Sequence, residues 1–167
     1  EYHFDFGPAN SPVAEGYVSL GSDTTYSAER GYGWSAGTPQ DYTAKKPKVN
    51  RPRWYHADPA FFFHELVNDF QVDGVESDKP FSFAIDLPKG TYRVHLTVGH
   101  LSEPRYSIDV YANEQLMQKK IDARLWLFRG LTEKSGGYYK RVRFSVDVGD
   151  DGLTLDFKGD DAEFHRL

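Results

Sequence analysis

The stretch that most constrains this chain is "FSFAIDLPKGTYRVHLTVGH", residues 81–100. Phe81, Phe83, Ile85 and Leu87 fall at every second position, as do Tyr92, Val94, Leu96 and Val98 beyond a Pro-x-Gly turn. A period of two puts one apolar face on an extended segment, whereas a helix would scatter these positions around its circumference. The same period returns in "YSIDVYAN" (106–113), which groups Tyr106, Ile108 and Val110 and ends at Asn113, a turn residue. "EQLMQKKIDA" (114–123) resumes as a strand or hairpin arm. "YYKRVRFSVDVGDDGLTLDFKGD" (138–160) reads as two strands, Val142/Phe144/Val146/Val148 and Leu153/Leu155/Phe157, joined by a hairpin at "GDDG". Short alternating strands with turns every 8–12 residues or so predict an all-β sandwich.

The first half is less regular. "YHFDFG" (2–7) predicts a first strand with Tyr2, Phe4 and Phe6 on the face opposite His3 and Asp5. "PANSPVAEG" (8–16) is a loop by its turn formers, and "YVSL" (17–20) is a short extended piece. Residues 35–59 hold four Pro and five Lys or Arg without apolar periodicity, and are expected to form a long excursion of functional character. In "AFFFHELVNDFQVDG" (60–74), Phe62, Leu66 and Phe70 stand at helical spacing, while "NDFQVDG" alternates like a strand entering a turn. At most one short helical turn is therefore expected.

A chain of 167 residues suits one domain able to bury a core without covalent staples. Aromatic residues make up 16% of it, with 15 Gly and 9 Pro, which favours a turn-rich β-protein. Cys is absent, so neither disulfides nor thiolate zinc sites arise; this leaves the compartment open, since many bacterial secreted proteins also lack Cys. The net charge of −5 gives a nucleic-acid partner no electrostatic support. No apolar run approaches the roughly 20 residues that cross a bilayer as a helix, so no membrane partner is expected. Starting at Glu1 without an apolar leader, residues 1–167 are expected to be a single sandwich domain excised from a longer multidomain protein.

Three stretches together resemble a known domain type: "FDFG" (4–7), "YSAERGYGW" (26–34) and "DKPFSFAIDLPKGTYRVHLTVG" (78–99). They are similar to the galactose-binding-like β-sandwich beside catalytic domains of bacterial enzymes acting on pectin and other polysaccharides. The closest echo is the N-terminal accessory domain of rhamnogalacturonan acetylesterase-like proteins. The resemblance covers most of the chain and implies a jelly-roll sandwich, a polysaccharide or oligosaccharide ligand, a catalytic domain in the same chain, and a secreted, periplasmic or cell-surface location. "NDF" (68–70) departs from the expected "RDF" and removes one positive charge. The "DLPKGTYRVHLTVG" portion is shared with malectin-like and other jelly-roll sugar binders, so it speaks for fold more than ligand. The Gly-Asp-Ser block of the SGNH-type catalytic domain that accompanies such modules is absent from this sequence.

Candidate ligand residues are aromatic or cationic. Tyr32 and Trp34 could stack on pyranose faces, or their rings on either side of Gly33 could anchor a loop to the sandwich edge. Glu29 and Arg30 could meet a hydroxyl or a uronate carboxylate, or clamp the loop through an ion pair or the backbone. "KKPKVNRPRWYH" (45–56) sets Arg51 and Arg53 beside Trp54 and Tyr55, a combination suited to an acidic polysaccharide unless it is simply a solvated loop. His100 ends a strand, and "RLWLFRG" (124–130) adds Trp126 and Arg129.

Catalysis has weaker support. His56, His64, His95 and His100 lack the spacing of HExxH, and no GxSxG elbow is present. Carboxylates are plentiful enough for a small glycan hydrolase, although a single sandwich of this size offers little cleft. "GDDG" (149–152) and "GDD" (159–161) could hold a structural calcium or be turns alone. The expected function is a non-catalytic carbohydrate-binding module. The alternative is a spacer docking on a catalytic domain through "FFF" (61–63) and "LWLF" (125–128).

Overall fold

The computed structural model describes residues 1–43, 73–77, 79–99, 105–123 and 139–159. Among them no residue is helical and the chain is all-β. The strands are β1 (Phe4–Phe6), β2 (Val18–Leu20), β3 (Tyr32–Ala36), β4 (Gln40–Thr43), β5 (Asp73–Glu76), β6 (Phe81–Ile85), β7 (Gly90–Gly99), β8 (Arg105–Ala112), β9 (Gln115–Ala123), β10 (Tyr139–Val148) and β11 (Leu153–Gly159).

A five-stranded sheet of order β3-β6-β11-β8-β9 faces the antiparallel pair β7-β10. The layers meet through the side chains that the period of two selects. Leu87, Ala112, Val146, Val148, Leu153 and Leu155 are buried together, with Tyr92, Val94, Leu96 and Phe144 packed on them. Val110, Ile121 and Val142 extend this core along the sandwich. On β7 exposure alternates strictly, with Thr91, Arg93, His95 and Thr97 outward. The outward place of His95 accounts for it without a catalytic role.

Leu20, Trp34 and Phe83 form a further buried cluster, on which Phe4, Phe6 and Val75 pack. The parallel pair β1-β2 covers it, tied by Val18 N to His3 O at 2.9 Å and Gly7 N to Leu20 O at 3.1 Å. Asp5, on the opposite face as expected, accepts from Ala14 N at 3.0 Å and fixes the connecting loop.

Three expectations need correction. The excursion 35–59 contains strand β4, whose exposed Gln40 and Asp41 leave no apolar period to read; it is recognised only through its antiparallel partner β5. The Asp73-Gly74 pair, expected as a turn, lies inside β5, where Val75 supplies a core contact. "GDDG" is no sheet hairpin, because β10 pairs with β7 while β11 pairs with β6 and β8. The tight turn, with its Gly149–Gly152 bridge, instead carries the chain from one layer to the other. The short helical turn sought in 60–74 falls almost wholly outside the described residues.

Candidate functional site

The turn "YSAERGYGW" is built by backbone geometry. Ser27 O accepts from Arg30 N at 3.1 Å and Gly31 N at 2.8 Å, and Gly31 adopts φ +74°. The chain then folds back: Trp34 N donates to Thr24 O at 2.8 Å, and Tyr26 N to Trp34 O at 2.9 Å. Gly33 sits inside this crossing at φ +142°, where a Cβ would lie 2.5 Å from Tyr26 N. Only glycine meets both demands.

The rings around it are structural first. Trp34 is 5% exposed, against the expectation of a sugar platform. Its faces and edges are taken by Phe6, Phe81 and Phe83, with centroids 5.5, 5.5 and 5.1 Å away, and its Nε1 donates to Gly21 O at 2.8 Å. A ring so enclosed has no face left for a pyranose; burying Trp there releases apolar area from water and satisfies its single donor. Tyr32 is half-buried and packs on Phe4 at 5.1 Å, with the Arg30 guanidinium 5.8 Å from its ring. Exposed Arg30 donates from Nη1 to Thr25 O at 3.0 Å, so it clamps the loop to backbone. Arg51, Arg53, Trp54, Tyr55, His100, Trp126 and Arg129 lie outside the described residues, as do the "FFF" and "LWLF" runs.

Three turns meet at one end of the sandwich. Asp86 N donates to Gly31 O at 2.7 Å, and the Tyr26 hydroxyl donates to Asp86 Oδ1 at 2.9 Å. That hydrogen bond, followed by partial desolvation and the nearby negative charge, raises the Tyr26 phenol above its ordinary 10.0. Gly152, at φ +73°, passes so close to β6 that a Cβ would be 2.6 Å from Ile85 O. Asn113 fastens the β8-β9 turn to it, donating from Nδ2 to Gly152 O at 3.0 Å and accepting from Thr154 N at 2.8 Å. Asp86, Leu87, Pro88, Asp150, Asp151 and Gly152 line an open depression of about 490 Å³. Among the described residues, no group of three or more His, Asp or Glu is gathered closely enough to hold a metal ion.

The β7-β10 register creates an arrangement that the sequence reading missed. His95 stands opposite Arg143, Thr97 opposite Arg141, and Arg93 opposite Ser145, all on the outer face and all exposed. The signal in the sequence was "YRVHLT" and "KRVRFS", two strands with Arg or His at alternate positions. Only the pairing shows that they share a face.

The comparisons bear on the fold. No family model matches the chain, and no curated protein matches it. Among solved structures it is similar to the crystal structure of protein YxiM from Bacillus subtilis, with a TM-score of 0.52 and 19% identity. The likeness covers 95% of this chain and 39% of that one, so the chain spans about two-fifths of the solved protein's length. At this identity the likeness shows the fold alone. Among the described residues, no helix is long and apolar enough to cross a membrane.

Proposed function

We propose that the chain is a non-catalytic carbohydrate-binding module of a secreted polysaccharide-degrading enzyme, directed to pectin-like or other acidic glycans. The observation that carries this reading is the fold match of nearly the whole chain to a minor part of a longer protein, which is how an accessory module occurs. The galactose-binding-like resemblance and the cationic, aromatic stretch 45–56 supply the ligand class. Arg51, Arg53, Trp54 and Tyr55 are the proposed contacts: the guanidinium forks pair with uronate carboxylates and the rings stack on sugar faces.

The test is affinity electrophoresis and calorimetry of the 167-residue chain against polygalacturonate, rhamnogalacturonan, alginate and chitin. Binding is expected at about 10 μM to 1 mM, since desolvation of hydroxyls offsets most of each contact. Trp54→Ala weakens it without moving the melting temperature. No retardation by any glycan sinks the reading.

A second reading, a structural domain packed on a catalytic partner, is favoured by one observation. Tyr2, Val13, Tyr17 and Val18 are exposed at 55%, 42%, 37% and 41%. Tyr2, Tyr17 and Val18 belong to or adjoin the β1-β2 pair, and a grouping of exposed apolar side chains on one strand pair is what an interdomain contact would use. Self-association of the isolated chain, relieved by Tyr17→Ser, is its signature.

A further inference from the structure

We infer that the outer face of the β7-β10 pair is a binding surface for a polyuronate chain, a proposal that rests on the glycan-binding reading above and gives it a second, described location. Its cationic groups are Arg93 on β7 and Arg141 and Arg143 on β10, with the His95 imidazole opposite Arg143. Same-face neighbours on a strand are about 6.7 Å apart and paired strands about 4.8 Å apart, so these four side chains form a stripe roughly 13 Å long. Thr91, Thr97 and Ser145 add hydroxyls to the same face. Among the described residues, the one carboxylate at its outward positions is Asp147, which stands at the far end and accepts from Thr91 Oγ1 at 2.6 Å.

None of Arg93, Arg141 and Arg143 has an ion-pair partner among the described residues. Arg93, Arg141 and Arg143 share one sheet face without standing directly opposite one another, and their like charges repel across it. Nothing in the packing requires them, because the inward positions of both strands already supply the core. A carboxylate-bearing ligand resolves the repulsion, each guanidinium offering a planar fork to one carboxylate.

The whole chain carries net charge −5, which disfavours densely charged polyanions such as nucleic acids. A polyuronate, with one carboxylate per sugar and hydroxyls between, matches a stripe of spaced cations interleaved with Ser and Thr. The arginines and hydroxyls of this face hold the ligand by charge and hydrogen bonds, so its binding is salt-sensitive.

The test is calorimetry of the 167-residue chain with polygalacturonate at 50 and 300 mM NaCl, with neutral galactan and single-stranded DNA as comparison ligands. Arg141→Gln/Arg143→Gln is expected to weaken polygalacturonate binding by about tenfold at low salt, each exposed charge contact contributing modestly. The control Lys89→Gln/Lys119→Gln, with the same change in charge at other exposed positions, stays within about twofold of the parent. All these side chains are exposed, so circular dichroism and melting temperature are expected to be unchanged.

Unaltered binding in the arginine variant, an equal loss in the lysine control, or DNA binding as tight as polygalacturonate each overturns the proposal. If some glycan binds and the arginine variant is unaffected, the face is refuted and the module reading stands; if no glycan binds, both fall.

Discussion

Replacing Trp34 with alanine removes the largest side chain of the Leu20–Trp34–Phe83 cluster and separates its sugar-platform role from its packing role. The ring is 5% exposed and meets Phe6, Phe81 and Phe83. Truncating a buried Trp to Ala costs about 3–5 kcal/mol, through lost transfer energy and the cavity left behind. The indole hydrogen bond to Gly21 O adds about 1 kcal/mol; the penalty is not larger because that carbonyl still accepts from Thr24 N. The sum, about 4–6 kcal/mol, is a large share of the 5–15 kcal/mol or so that holds a typical domain. At roughly 2–4 °C per kcal/mol for a chain of this size, the melting temperature falls by about 10–20 °C. Trp34→Phe keeps an aromatic ring in the cluster and loses the donor and some volume, for about 1–3 kcal/mol. Thermal melts by circular dichroism, run beside affinity electrophoresis on polygalacturonate, measure both quantities. A Trp34→Ala protein that melts within about 3 °C of the parent yet no longer binds glycan would refute the structural role assigned here.

The remaining expectations concern the turns. Gly33→Ala forces a Cβ to 2.5 Å from Tyr26 N at φ +142°, and is expected to cost about 3 kcal/mol or more, seen as a lowered urea midpoint; an unchanged midpoint contradicts the crossing described at that turn. Asn113 and Glu114 both hold positive φ, 47° and 66°, as a two-residue type I′ turn requires, and Glu is a poor occupant of the second place. Glu114→Gly is therefore expected to stabilise the chain by about 1 kcal/mol, a rise of a few degrees in melting temperature, whereas a fall would mean that Glu114 makes a compensating contact. The Tyr26 phenol is raised by its hydrogen bond to Asp86, so the protonated form is favoured in the folded state. Its contribution is complete below the ordinary 10.0 and lost as pH climbs through the raised value; melting temperature should fall more steeply with alkaline pH in the parent than in Tyr26→Phe, and parallel slopes would count against it.

How much was legible in the sequence depended on whether the signal was local. The period of two in β6, β7, β10 and β11 named Phe83, Leu87, Val146, Val148, Leu153 and Leu155 as inward, and they are buried. The strands β4 and β5 were hidden because short polar strands carry no period, and pairing between distant segments is what defines them. "GDDG" has the chemistry of a hairpin turn, and turn chemistry is the same whether the two strands pair with each other or enter opposite layers. Trp34 misled for a related reason: a ring beside Gly33 looks like a loop aromatic until the backbone crossing at Thr24–Tyr26 turns it inward.

The same distinction explains why the cationic stripe went unread. Along β10, Arg141 and Arg143 alternate with Val142 and Phe144, and taken alone they are the ordinary solvated side of an amphipathic strand. Along β7, Arg93 and His95 alternate with Val94 and Leu96 in the same way. Each strand separately predicts only that its polar side chains face water. The register sets Arg143 against His95 and brings the two sets into one field, and a shift of one residue would instead turn β10's arginines toward the core. The register is fixed by inward packing, with Val142 opposite Leu96 and Val146 opposite Tyr92. The apolar face therefore determines which charges meet on the polar one. A change confined to the core positions that slipped this register would abolish the stripe without touching a single arginine.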